Sequence, residues 1–511
     1  MRYLPNGTWM QKADEDTIQR IGIPSLVLME RAALKTVEVM KERQIALEQC
    51  LVVCGSGNNG GDGFAVARLL HMEGKRVCAV FVGSEASMSE ECRMQREIAG
   101  NLGVQIVTDI PREEYTVVID AVFGVGLSRP VTGRYAEVIK AMNQKKGQKV
   151  AVDVPSGISS FDGSVLGVAF RADLTVSFAC EKLGSVLFPG YEYSGEVVPA
   201  EIGIATDIFR KQTDICYTLD REDLFEMLPK RKKNSHKGSY GKILMITGSK
   251  GMSGAAYLSA KSAYISGCGL VQIYTEETNR VILQQLLPEA IVSTYTVYEE
   301  EALAALLKWA DVVCIGCGLG KSKVSEQILE YVLRHLEIPC VIDADGLNLL
   351  ARKKELLLQE AKEIILTPHM KEMAGMIGCT VSELAERRFE KLQKFVGDYG
   401  VVCALKDART LVAAQGRQMF LNTAGNSAMA KAGSGDVLAG VIAGLLAQHM
   451  SAYDAAVLGV WGRFRGGVLG VYLHACGGDE ARKRCGAYSV LAQDLTEGIK
   501  ICIKETKRGE N

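Results

Sequence analysis

Residues 55–64, "GSGNNGGDGF", follow an apolar run and form the first stretch whose residue types could bind a ligand. Three of its glycines satisfy G-x-G-x-x-G, the dinucleotide-binding pattern that places a pyrophosphate on a helix N-terminus. Asp62 falls in the predicted first turn of that helix, where its carboxylate would repel a pyrophosphate. The next strand ends in Gly83 and lacks the acidic residue that binds a ribose hydroxyl. We therefore expect a ligand loop that departs from the standard dinucleotide site; the alternative is a tight turn capped by Asp62.

A second motif, "TAGNSAMAKAGSGDVLAG" at residues 423–440, combines a Gly-Ser-Gly turn with a carboxylate and an apolar helix. The backbone N–H groups of Gly433 to Gly435 can form an anion cradle at the start of that helix. Asp436 follows directly, where it could take a proton from a hydroxyl that attacks a phosphoryl group. The alternative is that Asp436 only caps the helix.

Composition favours small-molecule chemistry. The chain has 59 Lys and Arg against 60 Asp and Glu, a net charge of −1, so no overall field favours nucleic acid or an anionic membrane. Its 15 cysteines are scattered, which indicates reduced thiols, and we expect Cys314 and Cys317 to be core residues rather than a metal or redox pair. The first 20 residues lack the apolar segment of a signal peptide, and no segment approaches the roughly 20 apolar residues of a membrane helix. We expect a cytoplasmic protein.

Short Val- and Ile-rich runs alternate with helical patterns from residue 51 to 180, which is typical of a parallel sheet covered on both faces. Ligands bind at the carboxyl ends of such strands. Three runs end in polar or glycine-rich turns, at Gly55 to Gly63, Asp120 to Pro130 and Asp153 to Gly157. We predict that these turns form one crevice.

The charged stretch at residues 220–241 is broken by Pro229 and Gly238 and is predicted to be a linker or entry segment. Its basic run, Lys230 to Lys233, is interpreted as a solvated face, with phosphate contact as the alternative. A second alternation of strands and helices then begins. With 511 residues the chain exceeds one core. We predict two α/β domains, 1–215 and 216–511.

Several motifs resemble known families. "GSGNNGGDG", "DAVFGVGLSRPVTG" and "DVPSGI" resemble the NAD(P)H-hydrate epimerases, whereas "HKGSYGKILMITGS", "GCGLG", "DADGLN", "LTPH", "LKDART" and "KAGSGDVLAG" resemble the ribokinase-like NAD(P)H-hydrate dehydratases. The order resembles the bifunctional bacterial fusion of both. The resemblance implies two three-layer α/β/α domains, Rossmann-like and then ribokinase-like.

It also implies an enzyme that repairs hydrated NADH and NADPH. The N-terminal domain would interconvert the R and S hydrates, and the C-terminal domain would dehydrate the S hydrate with ADP, giving NAD(P)H, AMP and phosphate. The partners are then small molecules, with no nucleic acid or membrane. We expect Mg²⁺ with the nucleotide, K⁺ in the epimerase domain and a homo-oligomer.

Site residues carry over by matching positions. In the epimerase domain, Asp153 would be the acid/base, Lys182 would assist it, and K⁺ would be held by Asn59, Asp120 and Ser156. The hydrate would lie against Asp153 and against residues Asn58, Asn59, Gly60, Gly61, Asp62, Gly124, Val125, Gly126, Leu127, Ser128, Arg129 and Pro130.

In the dehydratase domain, Asp436 matches the catalytic position. Hydroxide leaves poorly, so phosphorylation of the hydroxyl would explain why a lyase carries a kinase-type cradle. Ala255, Gly318 and His369 match hydrate-binding positions, although His369 could instead be a buried strand-end histidine. The nucleotide positions are Lys406, Asp407, Ala408, Arg409, Thr410 and Gly435.

One departure from the family pattern is a repeated "VLGV", which makes residues 461–471 look inserted. We expect a local extension; the alternative is a nucleotide clamp made by Trp461, Arg463, Phe464 and Arg465. Two rival functions remain open: a ribokinase-like small-molecule kinase with an attached binding domain, and a cofactor sensor without catalysis.

Overall fold

The computed structural model describes residues 1–358, 363–448 and 452–506, with the backbone alone at 225, 452–466 and 506. Two compact units divide the chain, Arg2–Tyr217 and Thr218–Asn511. Within the described residues no helix has both the length and the apolar character needed to cross a membrane. Among the described residues no cysteine forms a disulfide bond.

The first unit contains a parallel sheet in the strand order β4-β3-β2-β5-β6-β7-β8. The strands are β1 (Arg2–Leu4), β2 (Gln49–Cys54), β3 (Arg76–Phe81), β4 (Gln105–Val107), β5 (Val117–Ala121), β6 (Gln148–Val152), β7 (Leu174–Phe178), β8 (Glu196–Ala200) and, across the boundary, β9 (Cys216–Thr218). The helices are α1 (Gly7–Asp16), α2 (Ser25–Glu42), α3 (Asn58–Met72), α4 (Glu90–Asn101), α5 (Gly133–Gln144), α6 (Leu183–Val186) and α7 (Tyr191–Ser194).

Strand β2 shows why this sheet is covered on both faces. Val52 and Cys54 point into one hydrophobic cluster, whereas Leu51 and Val53 point into another. Because successive side chains alternate between the faces, an unbroken apolar run requires helices on both. Each fully buried Val or Leu contributes roughly 1.5–3 kcal/mol. The predicted parallel sheet is confirmed.

The second unit contains a mixed sheet in the order β18-β17-β16-β15-β14-β13-β10-β11-β12. It is parallel from β16 to β12, and β17 and β18 continue it antiparallel. Its strands are β10 (Lys242–Ile246), β11 (Leu270–Glu276), β12 (Ile291–Tyr295), β13 (Val312–Ile315), β14 (Cys340–Ile342), β15 (Ile364–Leu366), β16 (Val402–Leu405), β17 (Leu411–Ala413) and β18 (Phe420–Leu421).

Two helices of the second unit, α9 (Ser253–Ile265) and α17 (Ser434–Gln448), pack on each other. They belong to the series α8 (Arg221–Met227), α9 (Ser253–Ile265), α10 (Arg280–Leu286), α11 (Glu300–Trp309), α12 (Lys323–Arg334), α13 (Ala344–Leu350), α14 (Met370–Ile377), α15 (Val381–Glu386), α16 (Arg388–Tyr399), α17 (Ser434–Gln448), α18 (Ala452–Ser489) and α19 (Ala492–Thr506).

The segment predicted as a linker or entry segment, residues 220–241, begins just after the boundary between the two units and is partly helical. Helix α8 occupies its first third, and a 3₁₀ turn, Lys237–Tyr240, lies near its end. A capping box starts α8: Asp220 caps the helix, and its backbone N–H donates to Asp223 Oδ2 at 2.7 Å. Such reciprocal bonds satisfy the free donors of a helix start and stabilise even a short helix.

The apparent insertion, residues 461–471, lies within the long helix α18. The four proposed clamp residues, Trp461, Arg463, Phe464 and Arg465, fall outside the described side chains. Val468 and Leu469 are buried, and a Cβ on Gly470 would lie 2.5 Å from Ile442 of α17. The end of the segment therefore belongs to the core of the second unit.

Candidate active sites

A cavity of about 680 Å³ opens at the carboxyl ends of β2, β5 and β6 in the first unit. It brings together the three turns that the strand pattern placed in one crevice. The sequence-predicted residues that line it are Asn58, Asn59, Asp62, Gly124, Val125, Gly126, Leu127, Ser128, Arg129, Asp153 and Lys182.

Gly60, Gly61 and Pro130 do not line this cavity, contrary to the prediction. A Cβ on Gly60 would lie 1.9 Å from the carbonyl oxygen of Gly55, and one on Gly61 would lie 2.7 Å from Met29 Cε. These two glycines let the backbone turn tightly against its neighbours, so their role is to shape the loop. Pro130 is exposed.

Helix α3 begins at Asn58, earlier than predicted, with Gly57 in extended conformation as its N-cap. Asp62 therefore lies in the second turn, so the prediction that it lies in the first turn is wrong, and the alternative that it caps the turn is wrong as well. Its side chain is 9% exposed and, in the part of the chain that the structure describes, has neither a hydrogen bond nor an ion pair. Burial, followed by the charges of Asp153 and Asp14, raises the pKa of Asp62 well above its ordinary value.

Asp153 forms a buried ion pair with Lys182 at the cavity wall. The Lys182 ammonium also donates to Ser177 Oγ at 3.1 Å and to the Phe178 carbonyl at 2.7 Å. The Phe178 N–H donates to the Asp153 carboxylate at 3.1 Å. With three acceptors around it the ammonium is fully satisfied, and it orients a carboxylate that faces the cavity.

Of the residues predicted to hold potassium, Asn59 lines the cavity, whereas Asp120 and Ser156 are buried outside its lining. The Ser156 hydroxyl and backbone N–H both donate to the Asp120 carboxylate at 2.7 Å. Burial raises the pKa of Asp120 to about 6, and the bonds from Ser156 oppose that shift. Asn59 lies against the β5 loop, since a Cβ on Gly124 would be 3.6 Å from Asn59 Oδ1. Its Nδ2 is buried and unpartnered among the described residues.

Asp343 is the centre of the second site, at the end of β14. Its Oδ1 accepts from Lys406 Nζ at 2.6 Å and from Thr367 Oγ1 at 2.7 Å. Its Oδ2 lies 3.8 Å from the Cys317 thiol. These partners follow β16, β15 and β13, so neighbouring parallel strands bring four side chains to one edge of the sheet.

Asp436 joins this cluster from the first turn of α17. Ligand atoms of Asp436, Asp343 and Cys317 all lie within 4.8 Å of one another. Burial, then the charge of Asp343, raises the pKa of Asp436 to about 6, and a hydrogen bond from Cys317 opposes the shift. A Cβ on Gly435 would be 3.3 Å from Lys406 Nζ. The predicted glycine turn at Gly435, the Lys406 ammonium and the Asp436 carboxyl group therefore lie together in one site.

Two of the predicted hydrate-binding residues, Ala255 and Gly318, touch each other. Gly318 has φ +60°, and a Cβ there would lie 2.8 Å from Ala255 Cβ. His369 is half-exposed at the N-cap of α14, where its Nδ1 accepts from the Glu372 N–H at 3.1 Å. The alternative of a buried strand-end histidine is wrong. A β-bridge pairs His369 with Lys406.

Of the predicted nucleotide residues, Lys406 and Gly435 meet the cluster, and the others form the turn between β16 and β17. Asp407 pairs with Arg388 at 3.3 Å, and the buried Arg409 donates to the Thr423 carbonyl at 3.0 Å. The Thr410 hydroxyl donates to the Asp407 carbonyl at 3.2 Å. Ala408 lies between them. These bonds hold the turn in one shape.

Sequence reasoning missed several residues at these sites. Asp343 follows a buried strand, so the strand-end rule could have found it. Asp14 lies on α1 and lines the first cavity, but nothing in its local pattern indicates a site. His474 lies far along the chain on α18, where burial lowers its pKa to about 4 and its Nε2 is 3.3 Å from Ser434 Oγ. Only tertiary packing reveals these last two.

Comparison with known proteins shows that the chain belongs to the class of two-domain α/β enzymes. The family model described as "YjeF-related protein N-terminus" matches residues 25–184, and "NAD(P)H-hydrate dehydratase" matches residues 243–500. A solved ribokinase-like superfamily protein from Enterococcus faecalis is 28% identical, with a TM-score of 0.51, and covers 57% of this chain and 96% of its own. The predicted fold class is confirmed.

Full-length relatives give the particular family. The bifunctional NAD(P)H-hydrate repair enzyme of Moorella thermoacetica is 34% identical over 98% of this chain and 97% of its own length. That of Escherichia coli is 32% identical over 96% and 93%. The chain belongs to the bifunctional NAD(P)H-hydrate repair enzymes. This membership confirms the predicted resemblance and favours an enzyme over a sensor.

Proposed function

We propose that the first unit interconverts the R and S hydrates of NADH and NADPH, and that the second dehydrates the S hydrate with ADP to give NAD(P)H, AMP and phosphate. One observation carries this proposal: each unit has its own strand-end site, with a buried carboxylate beside a Lys ammonium. Two such sites suit two reactions on one substrate.

In the first unit, Asp153 serves as the base. The carbon to be inverted bears a hydroxyl and the ring nitrogen, so removal of the hydroxyl proton opens the ring at that carbon, and reclosure on the other face inverts it. Lys182 orients the Asp153 carboxylate towards the cavity. The nicotinamide ring lies against the Asn58 and Gly124 loops.

Potassium fits the oxygen set of Asn59, Asp120 and Ser156, which carries a single formal negative charge. Such a set suits a weakly demanding monovalent ion better than zinc, which prefers Cys and His. When bound, the ion would neutralise the buried Asp120 carboxylate. Asn59 and Ser156 would thereby fix the two loops that border the cavity.

In the second unit, Asp436 takes the proton of the hydrate hydroxyl as that oxygen attacks the terminal phosphoryl group of the nucleotide. Phosphate then leaves with the oxygen, and loss of a proton from the neighbouring carbon restores the ring double bond. The cradle at Gly433 to Gly435 and Lys406 neutralise the phosphate charge. Ala255, Gly318 and His369 receive the hydrate. Arg409 and Thr410 shape the nucleotide turn, and Mg²⁺ would accompany the phosphates.

The test is product analysis with S hydrate and either ADP or ATP. Stoichiometric AMP, free phosphate and recovered reduced cofactor with ADP would support the proposal. A stable phosphorylated product would favour the small-molecule kinase instead, and turnover with ATP alone would overturn ADP as the donor. Adding R hydrate in the same cuvette tests the first unit, because R hydrate is consumed only after epimerisation.

A further inference from the structure

The cavity of the first unit holds more carboxylates than its cations can pair. Asp14, Asp62 and Asp153 line it, together with two cations, Lys182 and Arg129. Lys182 is bound to Asp153. Asp62 is left buried without a hydrogen bond or ion pair among the described residues. A buried carboxyl without a cation is costly as an anion and is favoured in its neutral form.

The position of Asp62 relative to Asp153 suits a shared substrate. Asp62 lies on α3, directly after β2, and Asp153 follows β6. In the sheet, β5 lies between these two strands, so their ends are roughly 10 Å apart at the usual strand spacing. The β5 loop, Gly124 to Arg129, forms the cavity wall between them. Both carboxyl groups therefore line the one cavity that would receive the ring.

We propose that Asp62 is a second catalytic residue of the first unit, the acid that protonates the ring nitrogen while Asp153 takes the hydroxyl proton. This inference rests on the proposed epimerisation. The chemistry requires both groups, because the nitrogen leaves poorly as an anion when the ring opens.

The step balances without any further reactant. The hydroxyl proton passes to Asp153, a carbon–oxygen double bond forms, and the bond between that carbon and the ring nitrogen breaks. The nitrogen takes the proton of Asp62. After rotation of the open chain, each transfer reverses, the ring closes on the other face, and both carboxyl groups return to their starting states.

The surroundings of Asp62 favour its protonated form, because burial and neighbouring like charges raise its pKa well above the ordinary value. Asp153 and Asp14 face it as like charges, and the buried Cys92 thiol on α4 has its own pKa raised to about 12. Lys182 is bound to Asp153, and Arg129 is exposed at the rim. Burial also raises the pKa of Asp14, so the repulsion of Asp62 by Asp14 is greatest at alkaline pH.

Asp62→Asn in the full chain tests the proposal, with R-to-S exchange followed by NMR above the uncatalysed rate. We expect kcat to fall about 100-fold or more, with KM within about threefold. An unchanged circular-dichroism spectrum and unchanged thermal unfolding of the same preparation report that both units are folded, because dehydration of S hydrate reports on the second unit alone. A kcat within about tenfold of the wild-type value, or a rise in KM alone, would overturn the role.

The pH profile separates this role from a structural one. Wild-type exchange should fall at alkaline pH as Asp62 loses its proton, and Asp14→Asn should move that limb to lower pH because one repelling charge is gone. A limb that is unmoved in Asp14→Asn would contradict the proposal. If the wild-type enzyme showed no exchange at all, the epimerase function itself would fail.

Discussion

At the scale of single residues, the two sites differ in the charge that lies next to the proposed catalytic carboxyl group. In the first unit, a carboxylate is held beside an ammonium that has three acceptors. In the second, Asp343 takes the ammonium of Lys406, and Asp436 is left next to a like charge. The chemistry assigned to Asp436 therefore depends on pH near neutrality.

Dehydration should consequently have an acid limb near pH 6. Asp436 must be ionised to act as a base, and its pKa is raised to about 6, so kcat should fall about tenfold per pH unit below that value. The measurement is kcat for S hydrate from pH 4.5 to 8. Cys317→Ala is the matched control: it removes a hydrogen bond that lowers the pKa of Asp436, so the limb should move to higher pH. A limb that stayed in place would contradict the assignment.

Residue types located candidate site residues more readily than they located the contacts of those residues. Asp436 and Asp153 were found because each follows a local signal, a Gly-rich helix start and a buried strand. Their partners depend on tertiary structure: Asp436 meets Asp343 because β14 lies near the start of α17. No local rule places Asp14 in the first cavity, since α1 lies far from the sheet in sequence.

At the scale of elements, α17 positions Asp436 through its contact with α9. A Cβ on Gly440 would lie 2.1 Å from the Ser259 carbonyl, and one on Gly444 would lie 2.6 Å from the Ala263 carbonyl. Two glycines four apart lie on one helix face, so they allow the backbones to approach closely.

Gly440→Ala should therefore destabilise the second unit by about 1–3 kcal/mol through overpacking and lower the dehydration rate by displacing Asp436. Thermal unfolding and both activities are the measurements, and epimerisation should persist. Gly397→Ala on α16 is the control, because no atom of the described residues lies within 4 Å of its added Cβ. It should be neutral or stabilising by about 0.5–1 kcal/mol. Equal effects of both substitutions would rule out close packing as the cause.

The repeated "VLGV" in α18 leads to a deletion experiment. Residues 461–471 number 11, about three whole turns at 3.6 residues per turn, so their removal keeps the face of the preceding helix in register. The first "VLGV" then takes the place of the second. We expect near-normal dehydration and equal or better stability, whereas a large rise in KM for ADP would support the nucleotide clamp.

Elements could be predicted where a single pattern determines them. Buried parallel strands have continuous apolar runs, and these were found. The antiparallel hairpin of β17 and β18 was not, because strands of two or three residues carry little pattern. The start of α3 was misplaced because glycines allow both turn and helix, and hydrogen bonding along the chain decided between them.

At the scale of the whole molecule, the two activities should separate by mutation. Asp436→Asn is expected to stop dehydration by at least 100-fold and to leave epimerisation intact, since the two carboxylates belong to different compact units. Asp153→Asn is expected to stop epimerisation and to leave dehydration intact. Only the S hydrate is then consumed by the enzyme, and R hydrate disappears no faster than its spontaneous epimerisation allows. Loss of both activities in either folded variant would show that the sites are coupled.

The family and the two-domain architecture could be predicted because many motifs occur in one order along the chain. The hydrogen-bond partners and the burial of the side chains at each site could not be predicted from the sequence. Hydrogen-bond partners such as Ser156 for Asp120 join residues 36 positions apart, and side-chain burial is a property of the complete fold.

The backbone conformation of Asp153 limits which amino acids can replace it during evolution. Its φ of +68° lies in the left-handed region, where Asp, Asn and Gly are tolerated and most other residues are strained. Glu would keep a carboxylate but is disfavoured there, whereas Asn and Gly fit but cannot accept the proton. Conformation and chemistry thus select the same side chain. If Asp153 has the proposed role, the substitutions that its backbone accepts remove the activity in one step, so this site is more readily lost in evolution than gradually retuned.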